Sequence, residues 1–200
     1  LSVTGCPLRK SFLHPRPDKA IAQLGLEKDK KILLITGASS GSQSINQTVC
    51  SLLPKLNDYR ENWQIVHLAG QANLQKVSQQ YNRAKIGHKV LDYYDDMADL
   101  LSSAELLIGR SGAVSIAEYA AAGTPCICMP YPHHKDLHQY RNAGKLVEAG
   151  AAIIVDELPD EKERTDWLWE ELEILLKDEQ TRRKMTEASI KAANISGASV

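Results

Sequence analysis

The sequence predicts an α/β domain built on a doubly wound, six-stranded parallel sheet with helices on both faces. Short aliphatic or β-rich runs recur along the chain, helical patterns separate most of them, and glycine or proline marks several of the predicted boundaries. Apolar strands joined by crossover helices are typical of parallel sheets, because such strands are buried on both sides. The 200 residues suit one compact domain better than two.

The predicted elements alternate along most of the chain. The strands are Lys31–Thr36, Trp63–Ala69, His88–Tyr93, Ala104–Ile108, Pro125–Met129 and Ala152–Val155. The helices are Ser44–Lys55, Ala72–Asn82, Met97–Ser103, Ala113–Ala122, Gln139–Ala149, Thr165–Lys177 and Glu179–Ala193. Gly123 favours a left-handed helix end before Pro125, and Gly150 ends the next helix. We expect residues 1–30 to form a polar lead-in and residues 31–200 to form the main domain.

The composition argues against several classes of protein. The 24 basic side chains are matched by 25 acidic ones, so there is no general positive field to hold nucleic acid or an anionic membrane. The four cysteines fit neither a disulfide framework nor a zinc spacing, and we expect Cys126 and Cys128 to point to opposite faces of a strand. No apolar run approaches the ~18 to 20 residues needed to span a bilayer, and no signal peptide is visible. We therefore expect a soluble, reduced, cytosolic chain.

Ligands of doubly wound sheets bind beyond the carboxyl ends of the strands, so the loops that follow the strands are the candidate site. After the first predicted strand, the small residues Gly37–Ser42 lead directly into a helix. Exposed amides and hydroxyls at a helix N-terminus suit a phosphate, whereas the alternative is a tight turn with a serine N-cap. The pattern is neither a nucleoside-triphosphate loop nor a G-x-G-x-x-G dinucleotide motif.

A second glycine-bearing turn, Gly109–Gly112, leads into the helix after the fourth predicted strand. This turn could complete an anion cradle, and Glu118 inside the helix could accept hydrogen bonds from the hydroxyls of a ribose. The segment from Ser115 to Glu118 also fits a capping box. Arg110 has two interpretations, because it could bind phosphate or pair with a surface acid.

Two further loops carry hydrogen-bonding side chains. The segment Pro130–Gln139 is polar enough to contact the hydroxyls of a sugar. Its histidines give little reason to expect a metal, because Lys135 stands where a zinc protease motif has glutamate. After the third predicted strand, Tyr94 either lies against a base or packs, and packing is favoured.

These four loops, in this order, resemble the C-terminal, donor-binding domain of the MurG family of bacterial N-acetylglucosaminyltransferases. The resemblance covers nearly the whole chain and is strongest from Arg110 to Pro125 and from His134 to Ala143. It implies a Rossmann-like half of a two-domain GT-B enzyme. In that family the N-terminal domain, which we expect to be absent from this chain, binds the lipid acceptor and carries the general base, and residues 31–200 here would bind UDP-N-acetylglucosamine.

The resemblance also implies roles for individual residues. Arg9 and Ser39 match positions on the diphosphate region, the backbone at Tyr94 matches the uracil-reading position, and Gln139 matches a contact to the sugar. The segment under the diphosphate and ribose comprises Ala113, Val114, Ser115, Ile116, Ala117 and Glu118, with Glu118 on the ribose hydroxyls. Ala38 departs from the family, which has a Gly-Gly-Ser turn at this point. No metal and no cofactor are implied.

The function implied by the resemblance is transfer of N-acetylglucosamine from UDP to lipid I, which forms lipid II for peptidoglycan. Such an enzyme acts in cell-wall biogenesis, cell shape and division, as a peripheral protein on the cytoplasmic side of the inner membrane. This chain alone is expected to bind the donor without transferring the sugar, and to reach lipid I and the membrane only through the missing domain. The alternatives are another GT-B enzyme, such as a glycolipid glycosyltransferase or a UDP-N-acetylglucosamine 2-epimerase, and a non-catalytic nucleotide-binding module.

Overall fold

A computed structural model of the chain describes residues 6–38, 41–133 and 136–195, with side chains through residue 193. The described strands are β1 (Lys31–Thr36), β2 (Trp63–Leu68), β3 (Gly87–Leu91), β4 (Leu106–Gly109), β5 (Cys126–Cys128) and β6 (Ala152–Ile154). They form one parallel sheet in the order β3-β2-β1-β4-β5-β6. The predicted fold class is confirmed. The strand order reverses direction between β1 and β4, so the topological switch point lies at the carboxyl ends of these two strands.

The described α-helices are α1 (Pro17–Leu24), α2 (Gln43–Leu56), α3 (Leu74–Tyr81), α4 (Met97–Ser103), α5 (Ala113–Ala122), α6 (His138–Glu148), α7 (Glu161–Lys177) and α8 (Glu179–Ile195). Most lie within a few residues of their predicted bounds. The start of α7 was predicted four residues too late, because Asp160 caps the helix by accepting a hydrogen bond from the Glu163 amide at 2.8 Å.

Side chains alternate between two buried layers, one on each side of the sheet. On β1, Leu33 and Ile35 pack with α2, α3 and α7, whereas Ile32 and Leu34 pack with α1, α4, α5 and α6. Helices cover both faces of the sheet, so the central strands are buried on both sides and are largely apolar. The loops that follow the strands emerge at the carboxyl edge of the sheet.

The lead-in is more structured than its composition indicates, because it contains α1 and a short 3₁₀ turn at Lys10–Leu13. Phe12 and Ala20 are buried in the same layer as α4 and α5. The backbone amide of Arg16 donates to the buried carboxylate of Asp99 on α4 at 2.7 Å, and Lys19 pairs with the same carboxylate. The division at residue 30 stays a prediction, but the described part of the lead-in packs on the sheet.

The expectation that Cys126 and Cys128 point to opposite faces was wrong. Residues two apart on a strand lie on the same face, and here the two Sγ atoms are 3.6 Å apart in the layer beside α5 and α6. Both cysteines are buried free thiols. None of the described helices combines the length and apolar character that a membrane crossing requires.

Candidate functional site

The two glycine-bearing loops emerge side by side at the switch point. The register that pairs Thr36 of β1 with Gly109 of β4 brings the ends of both strands to one level. At Gly109, an added Cβ would lie 2.7 Å from the Tyr119 hydroxyl, so only glycine fits between the strand end and α5. The predicted meeting of these loops at one edge of the sheet is therefore observed.

The β1–α2 loop needs small residues because it folds tightly on itself and on the neighbouring strand. A Cβ on Gly37 would lie 2.1 Å from the amide nitrogen of Ser42, and one on Gly41 would lie 2.2 Å from the carbonyl oxygen of Ala69. Gly41 also has a φ of 73°. Ser39, a predicted diphosphate contact, lies outside the described residues.

Ala38 occupies the position at which the resemblance implies a glycine, and its φ is 64°. An L-residue in this left-handed region costs about 1–2 kcal/mol. The Ala38 amide donates to Oγ1 of Thr36 at 3.2 Å, and the Ala38 carbonyl accepts from Gly41 at 3.0 Å. The loop thus keeps a glycine-like turn although its sequence has lost the glycine.

The serine hydroxyls at the start of α2 form hydrogen bonds with other groups of the protein. Ser42 is the N-cap, and its Oγ accepts from the Ile45 amide at 3.4 Å. Arg110 Nη2 donates to Oγ of Ser42 at 2.7 Å and to Oγ of Ser44 at 3.0 Å. The serine N-cap, which was left open as the alternative, is therefore present, and these hydroxyls hold Arg110.

Arg110 is a buried link between loops. Its Nη1 donates to the carbonyl oxygen of Met129 after β5 at 2.8 Å and forms an ion pair with Oε2 of Glu157 after β6. The guanidinium also lies over the Tyr131 ring, 5.4 Å from the centroid. Of the two interpretations of Arg110, pairing with an acid is observed, although the pair is buried and joins the loops that follow β1, β4, β5 and β6.

A second buried network supports the β1–α2 loop from the β2 side. Asn46 Nδ2 donates to the carbonyl oxygen of Ala69 at 2.9 Å, so Asn46 Oδ1 accepts from Nε2 of His67 at 3.0 Å. That tautomer leaves His67 Nδ1 to accept from the Tyr81 hydroxyl at 3.0 Å. Complete burial lowers the pKa of His67 to about 3. A neutral histidine therefore helps to fix the carbonyl against which Gly41 packs.

The N-terminus of α5 presents backbone donors without a side-chain cap. Gly112 is the N-cap, so the capping box predicted as an alternative from Ser115 to Glu118 is not formed. The first amide bonded within the helix is that of Ile116, which donates to the Gly112 carbonyl at 2.9 Å. The amides of Ala113, Val114 and Ser115 precede it, and within the described part of the chain they have no hydrogen-bond acceptor, as is typical of the first turn of a helix. Such donors favour an anion.

The side chains of this segment divide between the core and the surface. Ile116 is buried among the side chains beside α4 and α6 and faces the core. Ala113 and Val114 are exposed, and Ser115 and Ala117 are half-buried. Of the predicted segment, Val114, Ser115 and Glu118 line a cleft beside α5, whereas Ala113, Ile116 and Ala117 do not.

Glu118 is buried on α5 and carries one partner among the described side chains. Its Oε1 accepts from Arg9 Nη2 at 2.9 Å, and Arg9 Nη1 also donates to the carbonyl oxygen of Asp95 at 3.3 Å. This hydrogen bond raises the pKa of the Arg9 guanidinium above its usual value. Two residues predicted to contact different parts of a ligand are thus in contact with each other.

Two clefts adjoin the glycine loops and share Ala38. The first, the Glu118 cleft, is about 490 Å³ and is lined by Pro7, Arg9, Thr36, Ala38, Leu68, Asp92, Tyr93, Met97, Val114, Ser115, Glu118 and Tyr119. The second, the Gln139 cleft, is about 580 Å³ and is lined by Gly37, Ala38, Gly41, Ser42, Gln43, Ser44, Arg110, Gly112, Tyr131, Gln139 and Glu157. The N-terminus of α5 borders both clefts, with Gly112 in one and Val114 in the other.

The family comparison decides how this edge is classified. The model of the glycosyltransferase family 28 C-terminal domain matches residues 32–199. The chain belongs to this family. The family-28 assignment agrees with a Rossmann-like half of a GT-B glycosyltransferase, and it covers the sheet and all the loops described above.

Individual relatives of this glycosyltransferase family 28 domain carry the name UDP-N-acetylglucosamine--N-acetylmuramyl-(pentapeptide) pyrophosphoryl-undecaprenol N-acetylglucosamine transferase. The one from Haemophilus ducreyi is 42% identical over 94% of this chain and 50% of its own length. The one from Geobacter metallireducens is 38% identical over 78% of this chain and 42% of its own length. The crystal structure of Acinetobacter baumannii MurG is 28% identical, has a TM-score of 0.69, and is matched over 92% of this chain and 50% of that one. The chain therefore spans about half the length of these relatives.

Within this family 28 domain, Gln139 and Tyr94 are placed differently from each other. Gln139 lines its cleft, and its Oε1 accepts from the Tyr131 amide at 3.0 Å, which leaves the side-chain NH₂ as a donor. Tyr94 turns towards α1 and donates its hydroxyl to Gln23 at 2.8 Å. The favoured packing interpretation of the Tyr94 side chain agrees with this contact, and only the backbone of Tyr94 remains a candidate for reading a base.

Sequence reasoning missed several residues that line the clefts. Asp92, Tyr93 and Met97 border the Glu118 cleft, and Glu157 borders the Gln139 cleft. The loop after the third strand was selected, but only Tyr94 in it was named as a site residue, because the strand was predicted to end at Tyr93 whereas β3 ends at Leu91. The loop after β6 was not considered, although the same rule would have found Glu157. Pro7 carried no such signal, since it precedes the first strand.

Proposed function

We propose that this chain is the donor-binding part of an N-acetylglucosaminyltransferase and that it holds UDP-N-acetylglucosamine across the two clefts. The observation that carries the proposal is the uncapped N-terminus of α5, which borders both clefts at the switch point. A diphosphate is the part of such a donor that this terminus suits best. The names of the relatives support the identity of the sugar and nucleotide.

The ligand is proposed to lie with its uridine in the Glu118 cleft and its sugar in the Gln139 cleft. Glu118 would accept hydrogen bonds from the ribose hydroxyls, and the backbone at Tyr94 would face the uracil. The diphosphate would lie over the segment from Ala113 to Ala117 with Ser39 beside it. Gln139 would donate its side-chain NH₂ to a hydroxyl of the sugar.

Stabilisation of the leaving group is the step that these residues could perform. As the glycosidic bond breaks, negative charge develops on the departing UDP, and unpaired amides at a helix N-terminus stabilise it without reorganising. The proposed stabilisation uses the backbone donors at the N-terminus of α5 and the side chains that line the two clefts.

The rest of the reaction belongs to a longer protein. We propose that an N-terminal domain binds lipid I and deprotonates its acceptor hydroxyl, so that transfer produces lipid II. The enzyme would then work peripherally on the cytoplasmic face of the bacterial inner membrane, in cell-wall biogenesis and hence in cell shape and division. The 200-residue chain alone is expected to bind the donor without transferring the sugar.

Calorimetric titration with UDP, UDP-N-acetylglucosamine and UDP-N-acetylgalactosamine tests the proposal. We expect the chain to bind UDP and to prefer the first sugar nucleotide over its C4 epimer. Glu118→Ala should weaken the binding of UDP at least about tenfold, since it removes hydrogen bonds to a charged acceptor. Gln139→Ala should reduce the preference between the epimers while leaving the affinity for UDP nearly unchanged.

Glu148→Ala is the matched control, because Glu148 is exposed at the far end of α6 and lines neither cleft. It should leave every affinity unchanged. Failure of the unmodified chain to bind UDP would overturn the donor-site proposal. An unchanged affinity of Glu118→Ala for UDP, together with an unchanged preference of Gln139→Ala between the epimers, would place the ligand elsewhere on the chain.

A further inference from the structure

The contact between Arg9 and Glu118 bears on what Arg9 does. Arg9 Nη2 bonds Glu118 Oε1 at 2.9 Å while Arg9 Nη1 bonds the Asp95 carbonyl oxygen at 3.3 Å. A guanidinium presents its donors in a fixed fork, so two bonds in different directions fix its plane. Arg9 is therefore held between α5 and the loop that follows β3.

The main chain beside Arg9 is also fixed. The Arg9 carbonyl oxygen accepts from the amide of Phe12 at 3.0 Å, and the Phe12 side chain is buried against the sheet. The contact with Glu118 thus reaches across 109 positions of sequence from an anchored segment. This anchoring distinguishes Arg9 from a mobile surface arginine.

Glu118 depends on this partner more than Arg9 does. The Glu118 side chain is 11% exposed, whereas that of Arg9 is 50% exposed. Burial of a carboxylate is costly unless its oxygens accept hydrogen bonds, and its two oxygens together offer about four acceptor positions. Arg9 uses one oxygen, and the carboxylate still borders the cleft.

We infer that Arg9 is a positioning residue that orients the Glu118 carboxylate towards the ribose hydroxyls of the bound nucleotide. This inference rests on the proposed function, and it assigns Arg9 to the ribose end of the ligand rather than to the diphosphate. Removing Arg9 leaves the Glu118 carboxylate without its guanidinium partner and free to rotate. Loss of Arg9 should therefore weaken the binding of ligands that carry ribose hydroxyls.

A comparison of UDP with 2′,3′-dideoxy-UDP separates the two roles, because both ligands carry the same diphosphate. Calorimetry should give the unmodified chain a preference for UDP of at least about tenfold. Arg9→Met should reduce that preference to about threefold or less and change the affinity for the dideoxy ligand by less than about threefold. Combining Arg9→Met with Glu118→Gln should add little to the effect of Glu118→Gln alone.

Lys10→Met is the matched control, because it removes a positive charge from the adjacent, exposed position. It should keep the preference for UDP intact. Equal weakening of both ligands by Arg9→Met would overturn the inference and return Arg9 to the diphosphate. Absence of UDP binding by the unmodified chain would instead overturn the proposed function, so the two failures are distinguishable.

Discussion

Two arginine–glutamate pairs lie at the carboxyl edge of the sheet, and they differ in burial and in the number of partners. In the pair of Arg110 and Glu157, the side chains are 9% and 13% exposed, and the guanidinium also bonds a carbonyl oxygen and two serine hydroxyls. In the pair of Arg9 and Glu118, the arginine is half exposed and bonds one further carbonyl oxygen.

The difference separates a structural pair from one that can respond to a ligand. The guanidinium of Arg110 donates to the surrounding loops and pairs with Glu157, so its charge is compensated without a ligand. Glu118 borders an open cleft and retains acceptor capacity on its second oxygen. The same two side-chain types therefore hold the loops in one place and face the proposed ribose in the other.

Arg110→Met should have the largest effect on stability. The substitution leaves the Glu157 carboxylate buried without its counter-charge and releases the hydroxyls of Ser42 and Ser44, so we expect a loss of about 3–5 kcal/mol in the free energy of unfolding. Urea denaturation at constant pH measures this loss. The matched change Arg9→Met should cost less than Arg110→Met, because Arg9 is half exposed and the Glu118 carboxylate borders an open cleft from which water can hydrate it.

A second substitution sharpens the comparison. Replacing Glu157 with leucine in the Arg110→Met background removes the unpaired charge, and much of the lost stability should return. If Arg110→Met and Arg9→Met lowered the free energy of unfolding equally, the proposed difference between the Arg110–Glu157 pair and the Arg9–Glu118 pair would not hold.

Mild acid should weaken the other support of the β1–α2 loop. Burial lowers the pKa of His67 to about 3 in the folded chain, whereas an unfolded histidine titrates near 6.5. The stabilisation is therefore fully present above pH ~6.5 and is lost as pH falls, at about 1.4 kcal/mol per unit. Unfolding free energies measured from pH 6.5 to 5 should decrease by about 1.6 kcal/mol from this residue.

His67→Gln supplies the reference for that measurement. The variant should be less stable at pH 7, because it replaces the imidazole between Asn46 and Tyr81, but its stability should depend less steeply on pH by about one proton. If the unfolding free energies of the two proteins had the same pH dependence, the pKa of His67 would not change on folding.

Most of the sheet could be predicted from the sequence because its signal is local. The strand Lys31–Thr36 is apolar from Ile32 to Ile35 and has the predicted bounds, and Gly123 adopts the left-handed conformation expected at a helix end. The helix α1 was missed because its eight residues are too few to establish a helical period, and its position depends on Asp99, which lies 83 positions after Arg16. Contacts over such distances leave no mark on local periodicity.

The candidate site divides in the same way. The loop rule found the N-terminus of α5, Glu118 and Gln139, because each lies after a recognisable strand. It could not find that Arg110 would pair with Glu157, since that contact depends on how the loops after β4 and β6 meet. The pairing of Arg9 with Glu118 is of the same kind, because the two residues are 109 positions apart.

Ala38 lines both clefts, and so lies between the two arginine–glutamate pairs. Ala38→Gly should change the stability less than the substitutions above, and in the opposite direction. Alanine at a φ of 64° costs about 1–2 kcal/mol, whereas glycine gives back about 0.5–1 kcal/mol through its greater freedom in the unfolded chain. We therefore expect Ala38→Gly to stabilise the chain by about 0.5–1 kcal/mol. Thermal unfolding should show a midpoint raised by about 1–4 °C.

Ala22→Gly tests whether the gain comes from the backbone conformation. Ala22 is an exposed residue within α1, where the helical φ is negative and glycine is unfavourable by about 1 kcal/mol relative to alanine. The same chemical change should therefore lower the midpoint at Ala22 and raise it at Ala38. A fall at both positions would mean that the contacts of the Ala38 methyl group with the loop outweigh the strain in its backbone.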